Sequence, residues 1–243
     1  MTDLNFQFIG TGNAFAPGGL CWNGFVLNGR YLFEAPPQAL QTLNSLKLDA
    51  NDLDAVILSH HHGDHFLGLP FLVLQWTYSR RGRPIRIVGP VGTRDLAYDV
   101  FEKVYPGLFD GRLEIEWDEV AAGGRTKLGD LELEAHPVKH DHRLSATLGF
   151  SAALDGRRFA YTGDSAMCDA VLDLARHSEV LISECASRSN SVPVHMNLVD
   201  DMPKLRAAMD PDATLLLTHL GADIDDAGLK NTTVAQDFET YRF

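Results

Sequence analysis

The residues best equipped for chemistry fall in one short stretch, Ser59-His60-His61-His62-Gly63-Asp64-His65, where four histidines and an aspartate occupy seven positions. Imidazole and carboxylate together suit zinc, with iron and manganese as borderline neighbours, rather than calcium or magnesium. The pattern His-x-His-x-Asp-His alternates donors as a chelating loop does; a solvated loop that happens to be rich in histidine is the plainer alternative. The apolar run Ala55-Val56-Ile57-Leu58 directly before it reads as a short buried strand, partly β-branched and bounded by polar residues. A strand that ends in such a cluster delivers the donors together at a sheet edge.

Further donors lie elsewhere. Of the ten histidines, six fall outside this stretch: His136, His140, His142, His177, His195 and His219. His140 stands in Val138-Lys139-His140-Asp141-His142, just past a predicted strand over 131–136. Asp164, in Thr162-Gly163-Asp164-Ser165, follows a predicted strand over 157–162, and His219 closes Leu215-Leu216-Leu217-Thr218-His219. Each alone reads equally well as a hydrogen-bonded loop residue. Together, placed after strands as His60 is, they point to one site, because strand ends on one edge of a sheet converge. Two more polar residues, Glu184 in Ser183-Glu184-Cys185-Ala186 and His195 in Val194-His195-Met196-Asn197, stand after a strand and before a helix.

The elements that must position these groups are read from periodicity. Strands are expected over 4–9, 25–27, 31–33, 55–58, 85–88, 112–117, 131–136, 147–153, 157–162, 180–182 and 214–217. Asn28-Gly29 and Asp155-Gly156 mark hairpins. Helices are expected over 37–47, opened by Pro36 and Pro37, from Phe66 to about Tyr78 with Pro70 kinking or restarting it, and over 93–104, 167–176, 198–209 and the tail 230–240. Gly10-Thr11-Gly12 is not a dinucleotide fingerprint, since Pro17-Gly18-Gly19 stands where a helix would have to follow. No repeat or linker is visible, so residues 1–243 read as one mixed α/β domain.

Composition bounds the partners. The chain of 243 residues is 45% hydrophobic and 22% charged, with a formal net charge of −12. That balance argues against stable binding of long nucleic acids. The one basic cluster, Arg80-Arg81-Gly82-Arg83 with Arg86, reads as a solvated loop or as a grip on an anionic substrate. No apolar run spans a bilayer and no signal peptide is visible, so no membrane partner is expected and the cytoplasm is the default location. Cys21, Cys168 and Cys185 are odd in number and far apart and imply no disulfide framework. Loops 13–24, 75–84 and 186–196 are expected to line the mouth of the site, with Trp22, Trp76 and Tyr78 either stacking on a ring or packing locally.

Phe8-Ile9-Gly10-Thr11-Gly12, the motif of residues 60–65, Tyr161-Thr162-Gly163-Asp164-Ser165 and Leu217-Thr218-His219 together resemble the metallo-β-lactamase superfamily, in its ribonuclease Z-like and phosphodiesterase-like branch. The resemblance implies an αββα four-layer sandwich, two mixed sheets face to face with helices outside. It implies that His60, His62 and His140 hold one metal and Asp64, His65 and His219 a second, bridged by Asp164. His142 competes with His140 for the third motif. His61 becomes a supporting residue, and His136 and His177 are unrelated to the metal. Zinc is the favoured ion, manganese and iron the alternatives; His62 argues against the flavodiiron relatives, which carry Glu there.

The activity so implied is dinuclear metal-dependent hydrolysis of phosphodiesters or small nucleotide-type esters through a metal-bridging hydroxide. Asp64 also accepts a proton in that scheme, and His195 with Glu184 assists proton transfer. Lactone or other carboxylic ester and amide hydrolysis uses the same site, and a non-catalytic metal-binding module is a third class. tRNA 3′-end processing is disfavoured. Typical ribonuclease Z enzymes carry a long tRNA-gripping arm before the bridging Asp, whereas the interval 149–164 has room only for a hairpin. The expected partner is a small anionic substrate; a homodimer is left open.

Overall fold

Strands with apolar residues at every position must be covered on both faces, and that requirement sets the architecture. A computed structural model of the chain describes residues 3–79, 81–109, 111–189 and 192–243. The first half opens with β1 (Asn5–Gly10), β2 (Gly24–Leu27) and β3 (Tyr31–Phe33), then α1 (Ala39–Ser45), β4 (Ala55–Ile57), α2 (Gly63–Phe66), α3 (Leu69–Tyr78), β5 (Ile85–Pro90), α4 (Thr93–Val104) and β6 (Ile115–Val120). The second half has β7 (Arg125–Leu128), β8 (Leu131–Pro137), β9 (Leu148–Leu154), β10 (Arg157–Tyr161), α5 (Asp169–His177), β11 (Val180–Glu184), α6 (Met202–Ala208) and β12 (Thr214–Thr218). It closes with β13 (Thr232–Val234) and β14 (Thr240–Arg242).

Two seven-stranded sheets result, ordered β14-β1-β2-β3-β4-β5-β6 and β13-β12-β11-β10-β9-β8-β7. In each, antiparallel pairs give way to parallel ones, from β3–β4 onward in the first sheet and from β10–β11 onward in the second. The carboxyl ends of β4, β10, β11 and β12 therefore come to one end of the sandwich. Alternation sorts the side chains. Phe25 and Leu27 of β2, with Ala55 and Ile57 of β4, enter the core between the sheets, where Phe6, Phe8, Phe33, Phe159 and Tyr161 also lie. Val26 and Val56 point the other way, onto a core with Leu43, Leu72, Trp76 and Phe101 of α1, α3 and α4. Ala160, Leu181 and Leu215 pack outward against Val171, Leu174 and Leu205 of α5 and α6. The layers are αββα, as the resemblance implies. No helix among the described residues is long and apolar enough to cross a membrane.

Several local expectations are corrected. The helix expected from Phe66 is two: α2 begins at Gly63 and ends before Gly68, where a Cβ would lie 2.0 Å from the Pro36 carbonyl oxygen. Only glycine fits there, and Pro70 sits in the first turn of α3, where its missing N–H costs nothing. The tail 230–240 is not a helix. Thr232–Val234 adds in parallel to β12, and Thr240–Arg242 adds antiparallel to β1; β-branched residues completing two sheet edges prevail over the helical pattern. The helix at 198–209 begins only at Met202, after a turn in which Asp201 Oδ2 accepts from Asn197 N. The strand at 112–117 runs over 115–120 instead, and β7, with one buried side chain in four, was not expected.

Candidate metal centre

Beyond β4 the backbone stays extended to His62, so alternate side chains share a face. The rings of His60 and His62 lie 4.7 Å apart, while His61 turns away to Thr93 Oγ1 at 2.7 Å. That hydroxyl donates to the Pro90 carbonyl, so His61 Nε2–H is the donor to it. His61 thus anchors the loop to α4. The single turn of α2 then places Asp64 and His65 under the same point. The second sheet supplies the rest. Asp164 follows β10 through Gly163, which has φ 56° and whose Cβ would lie 2.6 Å from the Leu148 carbonyl oxygen. His219 follows β12 with φ 48°, left-handed for a non-glycine residue. Leu148 N donates to the Ser59 carbonyl at 3.0 Å and ties the two loops together across the sandwich.

The candidate ligands converge in three overlapping groups: His60, His62, His140 and Asp164; Asp64, His65 and His219; and Asp164, His195 and His219. Within each group the ligand atoms lie within 4.8 Å of one another. Asp164 Oδ2 is 3.4 Å from His65 Nε2, 3.2 Å from His219 Nε2 and 3.9 Å from His140 Nε2. His142 is exposed and belongs to none of these groups, so the geometry selects His140. His136 bonds to Ser151 Oγ and His177 to the Asp173 carbonyl, both away from the centre.

The donor set fits metal cations by its unmet needs. His60 Nε2, the Nε2 atoms of His65 and His219, and Asp164 Oδ1 are buried without a hydrogen-bond partner. Stranded polar atoms of this kind are costly unless something binds them. His140 Nδ1 donates to the Val194 carbonyl at 3.1 Å and His62 Nε2 lies 3.3 Å from Asp141 Oδ2. In their neutral forms His140 Nε2 and His62 Nδ1 then face each other, lone pair to lone pair, at 3.1 Å. Only a shared cation makes that contact favourable. The ion-pair partners of Asp64, Asp164 and Glu184 among the described residues are histidines.

Charge is distributed accordingly. Burial and the neighbouring His65 hold His60 well below the usual imidazole range, against the pull of Asp164. Burial also lowers His140 and leaves it neutral. Burial favours protonated Asp64, but the charge of His65 and the nearby His219 ring outweigh it and keep the carboxylate ionised. Glu184 is fully buried and its carboxyl is raised by burial, with His195 opposing. His195 Nδ1 lies 2.9 and 3.1 Å from the two Glu184 oxygens. Burial would lower that imidazole, yet Glu184 pushes it up to about 9.

Two orienting carboxylates escaped the sequence reading. Glu34 is fully buried, left-handed at φ 63°, accepts from Ser59 N at 3.3 Å and has Oε1 3.4 Å from His65 Nδ1. Its signal was available: an acidic residue directly after the apolar run Tyr31-Leu32-Phe33. Asp141, next to His140, steers His62. Such outer partners fix imidazole tautomers and ring orientation.

Other expectations fail on placement. The basic cluster is no substrate grip. Arg81 donates to the Asn51 and Leu53 carbonyls, Arg83 pairs with Asp54, and Arg86 pairs with Asp118, all near the amino ends of β4 and β5 and away from the centre; Arg80 lies outside the described residues. Loop 75–84 lies at that same end, so it does not line the mouth. Trp76 is buried and donates to the Ala50 carbonyl, and Tyr78 carries the Arg112 guanidinium over its ring. Trp22 donates to the Ala14 carbonyl and braces its own loop. Loops 13–24 and 186–196 do border the centre, the latter with residues 190 and 191 outside the described set. A groove of about 820 Å³ on the outer face of the second sheet, lined by Lys127, Glu134, His136, Ser151 and Arg158 among others, contains none of the candidate ligands.

The family model described as "Beta-lactamase superfamily domain" matches residues 29–220. The ribonuclease Z of Methanosarcina mazei is 23% identical over 233 aligned residues, covering 74% of each chain. Among solved structures, the metallo-β-lactamase fold protein YhfI from Bacillus subtilis superposes with a TM-score of 0.79 at 19% identity, covering 100% of both chains. A diphosphatase from the PhnP family superposes with a TM-score of 0.78 at 18% identity, covering 99% of this chain and 98% of that one. The matched residues include β3 through His219 and thus all seven candidate ligands, and the sandwich and the convergence of donors at its strand ends agree with the match: the chain belongs to the metallo-β-lactamase superfamily.

Proposed function

We propose that the chain is a dinuclear metal-dependent hydrolase of phosphodiesters or small nucleotide-type esters, with zinc the ion that best suits its imidazole and carboxylate donors.

 The observation that carries this reading is two adjoining ligand groups, His60, His62, His140 and Asp164 in one and Asp64, His65 and His219 in the other, with Asp164 Oδ2 3.4 Å from His65 Nε2 and 3.2 Å from His219 Nε2. When bound, two divalent ions lower the pKa of water to roughly 7 and polarise a phosphoryl oxygen.

The chain's own residues supply the rest. Imidazoles coordinate a cation in their neutral forms, so the loaded centre would keep a net positive charge that attracts an anionic ester on an otherwise acidic protein. Asp64, held ionised, accepts a proton from the attacking nucleophile. His195, held protonated by Glu184 through Nδ1, presents its other nitrogen toward the centre and donates that proton to the leaving oxygen. Its ring lies 4.7 Å from that of His140 and 5.4 Å from that of His219.

A small substrate is supported by β9 and β10, which pair Leu154 with Arg157 and are joined by Asp155-Gly156 alone, leaving no arm in that interval to hold a tRNA. The names of the relatives, ribonuclease Z and diphosphatase, agree with phosphoester chemistry. The test is hydrolysis of bis(p-nitrophenyl) phosphate, lactones and β-lactams by zinc- and manganese-loaded protein. Turnover of the phosphodiester that is abolished in Asp164→Ala supports the reading. Turnover of lactone alone, or metal binding without any turnover, replaces it.

A further inference from the structure

An exposed aromatic ring that none of these roles uses is carried by a loop bonded to the ligand-bearing segments. Residues 10–29 carry no charged side chain, on a chain of net charge −12. Within them, the loop between β1 and β2 is seated against the ligand-bearing segments. Leu220, next to His219, donates from N to the Thr11 carbonyl at 2.7 Å and accepts at its own carbonyl from Asn13 N at 3.1 Å. Asn13 Nδ2 donates to the carbonyl of Ala186, two residues past Glu184. Both stems are tied by Asp237, whose Oδ1 accepts from Thr11 N and Oγ1 and whose Oδ2 accepts from Cys21 N.

The apex of the loop is held by its backbone. Asn13 Oδ1 accepts from Phe15 N at 3.0 Å, the Asn13 carbonyl accepts from Ala16 N at 2.9 Å, and Trp22 Nε1 braces the Ala14 carbonyl. Ala16 is left-handed at φ 47°, an unfavourable conformation for a residue with a Cβ. What this frame presents is Phe15, 85% exposed. Folding does not account for a ring held in water by a strained turn. Two further exposed apolar side chains flank the centre: Leu67, two residues past His65, and Val194, whose carbonyl accepts from His140. An uncharged loop that presents an aromatic ring beside a cation-binding centre suits a ligand with an anionic group at one end and a flat aromatic group at the other. The loop between β1 and β2 itself has no basic side chain with which to follow a longer polyanion.

We propose that Phe15 is the stacking surface for the base of a nucleotide whose phosphoryl group sits at the His/Asp centre. This rests on the reading of that centre as a phosphodiester hydrolase and narrows its substrate class. The experiment is calorimetric titration of zinc-loaded wild type, Phe15→Ala and Phe15→Trp with adenosine 5′-monophosphate and with ribose 5-phosphate, alongside zinc content and molecular mass. Wild type is expected to bind the nucleotide about tenfold more tightly than the sugar phosphate. Phe15→Ala brings that ratio close to one with full zinc content, and Phe15→Trp keeps it. An unchanged ratio in Phe15→Ala, the absence of any base preference in wild type, or a Phe15→Ala chain whose only change is loss of a dimer overturns the proposal. Failure of the hydrolase reading is seen separately, as absent turnover of bis(p-nitrophenyl) phosphate, because the ratio is read from binding.

Discussion

His62 and His140 meet nitrogen to nitrogen at 3.1 Å, each fixed from behind by an acceptor, Asp141 for one and the Val194 carbonyl for the other. Removing either ring removes a candidate ligand. His140→Ala is therefore expected to lose bound zinc and His142→Ala to keep it, as read by mass-spectrometric metal analysis after dialysis; equal loss in both returns the third motif to His142. Glu34 acts one step further out. Glu34→Gln preserves shape but weakens the acceptor facing His65 Nδ1, and metal affinity measured by chelator competition is expected to fall about 10- to 100-fold. An affinity equal to wild type would show that Glu34 serves only the loop at Ser59. The choice between His140 and His142 was beyond the sequence because the two stand in an irregular loop, where no period assigns side chains to a face. Asp164 and His219 were readable because each follows an apolar run with nothing between but a turn.

At the scale of elements, the strands were readable where burial on both faces left long apolar runs, and the two hairpins where Asn28-Gly29 and Asp155-Gly156 take the left-handed backbone their turns require. The tail misled because β13 and β14 are edge strands of three residues each, defined by pairings such as Leu215 with Thr232 and Asn5 with Arg242 that lie far apart along the chain. The arginine loop misled because charge alone does not say what a guanidinium faces. Its role is structural: Asp54 joins Arg30 and Arg83 where β3, β4 and the approach to β5 meet. Burial would raise the Asp54 carboxyl, but the bonds to Arg83 and Arg30 hold it below the usual carboxylate range. The folded value being depressed, the contribution is full above the unfolded carboxyl value of about 3.9 and is lost as pH falls through the lower folded value. Asp54→Asn is thus expected to lower the urea midpoint at pH 7, with the gap to wild type closing below about pH 4. A gap constant across that range would show that the carboxylate charge is not what Arg30 and Arg83 recognise.

For the whole molecule, the centre joins the two sheets. His60, His62, Asp64 and His65 follow β4 of the first, while His140, Asp164 and His219 follow β8, β10 and β12 of the second. A cation bound there holds the halves together in the native state only, so it stabilises by mass action, about 2.7 kcal/mol at a hundred times its Kd. Chelation is expected to lower the melting temperature of wild type by several degrees and to move Asp164→Ala much less, measured by calorimetry. A chelator effect of equal size in both would place the stabilising metal elsewhere. By itself the sequence determined the donor chemistry, the strand that ends in it and the family to which the motifs belong, because residue type and local period are properties of short stretches. Only the tertiary structure decided that His140 rather than His142 faces Asp164, that Glu34 and Asp141 orient the imidazoles, that the arginines are spent on carbonyls and carboxylates, and that Phe15 stands in water on a loop bonded to Leu220, the neighbour of His219. Those outcomes depend on which strand ends share an edge, a property of pairings across the chain that no local pattern encodes.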